Sequence, residues 1–122
     1  YPDLALAGHS YEVVIGGKFT QVDGTSCSSP AFAAMISLIN AKRKTEGKAP
    51  LGFLNHMLYA TATATAFNDI TTGNNRCTAS GQSPFGILPP TCCCEGFDAT
   101  DGWDPVSGLG SIDFQKLAQV LG

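Results

Sequence analysis

In the stretch Asp23-Gly24-Thr25-Ser26-Cys27-Ser28-Ser29-Pro30, a serine lies at the start of an apolar helix, behind a glycine and a threonine. The first turn of a helix has unpaired backbone N–H groups and the positive end of the peptide dipoles. A serine oxygen placed there can attack a carbonyl group while nearby donors stabilise the resulting oxyanion. The alternative is a helix cap, since serine and threonine before an apolar run often accept a backbone hydrogen bond.

The segments around this stretch have recognisable secondary-structure patterns. Tyr11–Ile15 and Lys18–Val22 are rich in β-forming residues and are separated by two glycines, which predicts a β-hairpin leading into the serine stretch. Residues 28 to about 44 are apolar nearly all round, which predicts a buried helix. Pro30 suits the first turn of that helix, where no N–H is needed.

The second half of the chain contains two shorter helical patterns around a long irregular region. Residues 50 to about 60 have apolar side chains at spacings of three and four, which predicts a second helix. Residues 61–110 are rich in Gly, Pro, Asn, Thr and Asp, which predicts loops. Asp113 is predicted to cap a last helix over residues 114–121. Three side chains of that helix should face inward: Leu117, Val120 and Leu121.

Composition limits the class of protein. The chain has 122 residues, so it forms at most one domain or part of one. Its hydrophobic share is 43% and its net charge is −3. The acidic balance argues against a nucleic-acid partner. The sequence has no run of 18 apolar residues, so no membrane span is predicted. The chain begins with Tyr1 and shows no signal-peptide pattern, so either processing removed a leader or the sequence is a piece of something longer.

Four of the five cysteines lie in the irregular region, which favours a disulfide formed in an oxidising compartment. The expected bridge joins Cys77 to Cys92, Cys93 or Cys94, and the sequence does not choose among the three. A zinc site is the competing interpretation, but the spacing is not Cys-x-x-Cys and no histidine is nearby. Cys27 is predicted to be a buried free thiol.

Two loop segments, residues 67–73 and 101–105, combine carboxylates with glycines. Calcium prefers six to eight hard oxygen ligands, which carboxylates and free backbone carbonyls supply. A calcium site built from both segments would tie the irregular region together. Plain turns are the alternative, because Asp and Gly are common turn residues.

Several motifs together resemble the sedolisins, the serine-carboxyl peptidases. In chain order the motifs are Gly24-Thr25-Ser26-Cys27-Ser28-Ser29-Pro30-Ala31-Phe32, Leu51-Gly52-Phe53-Leu54-Asn55, Phe67-Asn68-Asp69-Ile70-Thr71-Thr72-Gly73-Asn74 and Gly102-Trp103-Asp104-Pro105-Val106-Ser107-Gly108-Leu109-Gly110. The first is also similar to the serine motif of subtilisin-like peptidases, but the later ones are not. The resemblance covers essentially the whole chain and assigns Ser26 as the nucleophile.

The resemblance implies an α/β fold in which residues 1–122 are the C-terminal part of a catalytic domain, an incomplete domain. The complete domain would have a subtilisin-like three-layer architecture with a parallel sheet, plus a calcium-binding loop region. The implied activity is an endopeptidase or tripeptidyl-peptidase that acts on peptides or proteins at acid pH. The implied location is secreted, extracellular or lysosomal.

The family's calcium site, implied for one Ca²⁺ ion, also maps onto this sequence. The matching ligands are the side chains of Asp69 and Asp104 and the backbone carbonyls of Ile70, Thr100 and Gly102. Thr100 stands where the family often has glycine, and a carbonyl remains available there.

The remaining catalytic groups of the family do not map onto this chain. Sedolisins use a Glu base, an Asp that orients it and a protonated Asp that donates to the oxyanion, all upstream of the serine. The acidic residues before Ser26 are Asp3, Glu12 and Asp23, and none matches a family motif. An upstream segment of the same catalytic domain is therefore the expected partner. The alternatives are a noncatalytic, calcium-stabilised module or inactive fragment and, less favoured, a neutral subtilisin-type peptidase.

Overall fold

The computed structural model describes residues 1–61, 65–78, 80–83 and 86–122. Its elements, in chain order, are β1 (Tyr11–Ile15), β2 (Lys18–Val22), α1 (Thr25–Thr45), α2 (Asn55–Thr61), β3 (Phe67–Asn68), β4 (Gly81–Ser83), β5 (Gly86–Leu88), β6 (Ser111–Ile112) and α3 (Phe114–Leu121). Within these ranges, none of the helices combines the length and apolar character needed to cross a membrane.

The predicted hairpin is confirmed with its predicted bounds. Tyr11 on β1 lies opposite Val22 on β2, and Ile15 lies opposite Lys18 next to the turn. The two turn residues, Gly16 and Gly17, have φ angles of 58° and 77°. Positive φ at both central positions is the geometry that suits the right-handed twist of a two-residue hairpin. Glycine adopts it without a steric penalty.

Helix α1 begins at Thr25, three residues before the predicted start, so the predicted boundary was wrong. Pro30 consequently lies inside the helix and not in its first turn. Because proline has no N–H, the carbonyl of Ser26 loses the donor that normally bonds to it four residues later. The true boundary is Gly24, whose φ of 151° favours glycine and is not helical.

Within this chain α1 is only partly buried, and its burial in a complete domain stays a prediction. Ile39 is buried, but Leu38 is 61% exposed, and Ala33 and Ala34 are exposed as well. The described part of the chain places few packing partners against the face of α1 that carries these exposed side chains. An apolar helix face without a cover is typical of a segment that packs against further structure.

Helix α2 is shorter than predicted, because it begins at Asn55 and not near residue 50. The preceding residues serve another purpose: the backbone N–H of Leu51 donates to Asn40 Oδ1 of α1 at 2.7 Å. This contact holds the incoming chain against α1 in a non-helical path. The buried side chains that α1, α2, α3 and the adjacent loops contribute form one core: Ile39, Leu58, Ala66, Leu109, Leu117 and Leu121.

Helix α3 has the predicted bounds and the predicted cap, since the Asp113 carboxylate accepts a hydrogen bond from the Lys116 backbone N–H at 3.1 Å. Leu117 and Leu121 are buried as predicted. Val120 is 47% exposed, so its predicted inward orientation was wrong. The face that packs inward is completed by Phe114 and Ala118, which leaves Val120 outside it.

The described strands pair in three two-stranded antiparallel sheets, β1 with β2, β3 with β6 and β4 with β5. Among the described residues, the one parallel β-bridge joins Ala5 to Ser111. The structure therefore confirms a mixture of helices and strands. The parallel sheet of the predicted subtilisin-like fold stays a prediction.

The irregular region is closed by a disulfide between Cys77 and Cys92, one of the three predicted pairings. Cys93 and Cys94 are free and exposed, and Cys27 is free but half-buried, not fully buried as predicted. The bridge occupies two of the four sulfurs that the zinc alternative would need.

Removing this disulfide should destabilise the irregular region. Cys77→Ser opens a loop with a sequence separation of 15, which should lower the free energy of unfolding by about 3 kcal/mol. Denaturant unfolding of the intact protein measures the change. The matched control is Cys93→Ser, which removes an exposed free thiol and should leave stability unchanged. Equal losses in the two variants would contradict the assigned pairing.

The cap of α3 should make stability depend on pH. The Lys116 backbone N–H lowers the pKa of Asp113, so its contribution is present above the ordinary value of about 4 and is lost as pH falls through the lowered pKa. Asp113→Asn keeps a capping acceptor but does not titrate. The stability advantage of the natural protein over this variant should therefore shrink towards zero below about pH 4, as measured by unfolding at a series of pH values. An advantage that does not change with pH would contradict this role.

Candidate functional site

Ser26 is the second residue of α1 and is exposed to solvent. The helix is capped at Gly24, which provides no side-chain hydrogen bond, and the described residues offer Ser26 Oγ no hydrogen-bond partner. The geometry therefore does not support the cap interpretation of this serine. Its hydroxyl lies at the N-terminus of a 21-residue helix and is not engaged by any of the described residues.

The turn before Ser26 is held by a second segment of the chain. The Gly24 backbone N–H donates to the Gly8 carbonyl at 2.7 Å. Asp23 Oδ1 accepts the Ser10 backbone N–H at 2.6 Å and lies 2.9 Å from His9 Nδ1. Sequence reasoning missed these contacts, because they join residues 13 or more positions apart and no local pattern indicates them.

None of the described carboxylates hydrogen-bonds to Ser26. Asp3 Oδ1 instead accepts the Tyr59 hydroxyl at 2.8 Å, a bond that raises the pKa of Tyr59. Asp23 contacts the Ser10 backbone N–H and His9, and Glu12 lies exposed on β1. The described residues therefore place no carboxylate base against the candidate nucleophile.

The predicted calcium ligands lie in two loops that the structure brings into contact. Asp69 Oδ2 accepts the Gly102 backbone N–H at 2.7 Å, across a sequence separation of 33. The Ala99 backbone N–H donates to the Gly73 carbonyl at 2.9 Å and adds a second link between the loops. The two acidic segments therefore lie in contact, and the calcium site itself stays a prediction.

Asp104 organises the second of these loops. It is 1% exposed, and its carboxylate accepts the backbone N–H groups of Thr100, Val106 and Ser107 at 3.0, 2.8 and 2.8 Å. These bonds, the one from Ser107 foremost, hold the pKa of Asp104 below its ordinary value. A buried carboxylate at the centre of converging donors keeps its negative charge and fixes the shape of the turn.

The donor set suits calcium better than any softer metal. The five predicted ligands are two carboxylates and three backbone carbonyls, all hard oxygens. Asp69 Oδ1 accepts no hydrogen bond from the described residues and so has lone pairs available. No group of three or more His, Cys, Asp or Glu side chains in the described ranges is arranged for a metal, so an ion here would depend on the carbonyls of Ile70, Thr100 and Gly102.

The first residues of the chain connect this loop to the region of Ser26. Trp103 Nε1 donates to the Pro2 carbonyl at 2.9 Å, and the Leu109 backbone N–H donates to the Asp3 carbonyl at 2.9 Å. A Cβ on Gly108 would lie 2.5 Å from the Asp3 carbonyl carbon, so glycine is required for this close approach. The predicted calcium loop and the candidate nucleophile are thus attached to one N-terminal segment.

Comparison with known proteins finds relatives over nearly the whole chain, while no family model matches it. Physarolisin of Physarum polycephalum is 44% identical over 119 residues, which are 96% of this chain and 19% of physarolisin. Tripeptidyl-peptidase SED2 of Arthroderma otae is 39% identical over 121 residues, 99% of this chain and 20% of that protein. Aorsin of Aspergillus oryzae is 38% identical over 120 residues, 98% of this chain and 16% of aorsin. The chain spans about a fifth of the length of these relatives or less.

Proposed function

We propose that this chain, a homologue of sedolisin-family peptidases along nearly its whole length, is the nucleophile-bearing part of a serine peptidase that acts at acid pH. The homology confirms the resemblance predicted from the sequence motifs. The observation that carries the proposal is the state of Ser26: exposed, at the start of α1, and with a hydroxyl that no described group engages. Peptides or proteins are the proposed substrates.

In the proposed mechanism, Ser26 Oγ attacks the carbonyl carbon of a peptide bond and gives its proton to a glutamate supplied by the upstream part of the domain. The tetrahedral intermediate expels the amine, which takes that proton, and leaves an acyl group on Ser26. Water then attacks the acyl group, and the same carboxylate carries its proton back to the serine oxygen. The N-terminal end of α1 favours the negative charge that develops on the carbonyl oxygen.

A carboxylate base accounts for activity in acid. A glutamate ordinarily titrates at about 4.3, whereas a histidine titrates at about 6.5 and is protonated at low pH. A Ser–Glu pair therefore keeps a functional base where a Ser–His pair does not. His9 does not take that role among the described residues, since it pairs with Asp23 through Nδ1 and makes no hydrogen bond to Ser26.

Calcium is proposed to stabilise the loops around Asp69 and Asp104. A bound Ca²⁺ supplies positive charge and coordination, not redox or acid–base chemistry. The chain's own residues already hold the two loops together through the Gly102-to-Asp69 bond and already keep Asp104 ionised. The support for the ion is the all-oxygen donor set and Asp69 Oδ1, which no described residue engages, together with the family motif.

Exposed apolar side chains support the proposed upstream partner. On the hairpin, Phe19 is 78% and Val14 is 63% exposed, and on α1 Leu38 is 61% exposed. Val14 and Phe19 are cross-strand neighbours, so they form one apolar patch. The remainder of the catalytic domain is the proposed cover, since relatives of this chain are about five times as long. The disulfide fits the proposed secreted or lysosomal location.

A noncatalytic module is the second candidate, favoured by the absence of a base within the described chain. Expression of residues 1–122 alone, beside the full-length protein, tests the two candidates. The peptidase proposal expects that the isolated chain hydrolyses no peptide, binds a dye specific for exposed apolar surface and is digested rapidly, while the full-length protein hydrolyses peptides at acid pH. A stable, protease-resistant isolated chain and an inactive full-length protein would favour the module.

A further inference from the structure

Residues on both sides of Ser26 contact backbone carbonyls of one short segment, residues 6–8, called here the carbonyl clamp. On the N-terminal side, the Gly24 backbone N–H donates to the Gly8 carbonyl at 2.7 Å. On the C-terminal side, the Ser28 hydroxyl lies 3.0 Å from the Ala7 carbonyl oxygen and 3.2 Å from that of Leu6.

The Ser28 hydroxyl is placed for this contact and not for an ordinary helical one. A serine inside a helix commonly bonds to the carbonyl four residues earlier, as Ser37 Oγ does with the Ala33 carbonyl at 2.9 Å. Ser28 instead points out of α1 to a segment 21 and 22 residues away. Its hydroxyl is therefore a link between the helix and the clamp.

Space around this link is limited. A Cβ on Gly8 would lie 2.9 Å from Ser28 Oγ and 3.0 Å from the Gly24 carbonyl oxygen. A methyl group at this position would displace the Ser28 hydroxyl and crowd the Gly24 carbonyl oxygen, so glycine suits the close approach of the clamp to both sides of the serine turn. The contact with the Leu6 carbonyl is half-buried and shielded from competition with water, whereas the contact with the Ala7 carbonyl is exposed.

We propose that Ser28 is a positioning residue for the nucleophile. This inference rests on the proposed function of Ser26. Ser28 and Gly24 flank Ser26, and the clamp fixes both, so the position of Ser26 Oγ relative to the substrate and to the upstream base is set from both ends. Because a displacement of about 1 Å in a reacting group can lower a rate by about 10²-fold, a single lost hydroxyl two residues away can affect turnover.

The test uses the full-length protein and measures both peptide hydrolysis and the rate at which a fluorophosphonate inactivates it. Ser28→Ala should lower kcat and the inactivation rate by about 10-fold or more, with KM little changed. The matched control is Ser37→Ala, which loses one hydroxyl-to-carbonyl bond on the same helix but none to the clamp. It should retain the natural rates. Rates are normalised to folded protein by thermal unfolding.

A second variant tests the clamp without changing Ser28. Gly8→Ala should reproduce the loss of kcat, because its methyl group displaces the clamp from Ser28 and Gly24. The double variant should lose less than the product of the two single losses, since both changes act through one contact. A merely structural hydroxyl would lower the melting temperature without changing kcat per folded molecule.

The outcomes separate the two proposals. If the natural full-length protein is neither active nor labelled at Ser26, the proposed function fails. If it is labelled, and Ser28→Ala and Ser37→Ala react at the same rate per folded molecule, the function stands and the positioning role of Ser28 is overturned. Labelling that slows only in Ser28→Ala and Gly8→Ala supports the role.

Discussion

Replacement of Ser26 with alanine in the full-length protein is expected to abolish peptide hydrolysis without unfolding it. The hydroxyl makes no hydrogen bond within the described chain and is exposed, so its removal leaves the packing intact. Loss of a serine nucleophile typically costs a factor on the order of 10⁴ or more in kcat. Steady-state hydrolysis at acid pH and a melting curve measure the two effects.

The neighbouring exposed serine provides the control for this experiment. Ser29→Ala makes the same chemical change three residues away and should keep both activity and melting temperature. Hydrolysis by Ser26→Ala at a rate comparable with the natural protein would remove Ser26 from its proposed role. A large drop in its melting temperature would show that the residue is structural.

Replacement of Asp104 with alanine is expected to lower the melting temperature of the full-length protein by several degrees. The change removes the acceptor for three backbone N–H groups, those of Thr100, Val106 and Ser107, at a position that is 1% exposed. Buried donors left without an acceptor are costly. It also removes a proposed calcium ligand, so the loss should have two separable components.

A chelator separates these components. The natural protein should melt at a lower temperature in chelator and recover with added Ca²⁺, while Asp104→Ala should respond to neither. Asp101→Ala is the matched control, since this exposed carboxylate in the same loop is not in the proposed ligand set. It should keep the natural response. If the natural protein melts identically with and without chelator, calcium does not stabilise it, and any defect of Asp104→Ala comes from the lost hydrogen bonds alone.

Local chemistry made part of the fold predictable. The hairpin bounds follow from two glycines between β-forming runs, and the start of α3 follows from an aspartate that caps it. The start of α1 was misjudged because Pro30 was assigned to the first turn, whereas the non-helical geometry of Gly24 sets the boundary. Helix α2 begins later than predicted because the Leu51 backbone N–H bonds to Asn40 of α1. No local sequence pattern indicates this contact.

The candidate site divides in the same way. Ser26 and the acidic loops were predicted from motifs, because each motif consists of a few adjacent residues. The carbonyl clamp and the pairing of His9 with Asp23 join segments far apart in sequence, so local sequence patterns do not predict them. The choice of Cys92 over its two neighbours likewise depends on which residue lies across from Cys77.

Peptide mapping of the full-length protein after fluorophosphonate treatment at acid pH shows whether Ser26 is the nucleophile. We expect one phosphonyl adduct on the Ser26 hydroxyl, loss of hydrolysis in proportion to the adduct, and no adduct in Ser26→Ala. Active protein that is inactivated by the reagent while the peptide containing Ser26 remains unmodified would contradict it.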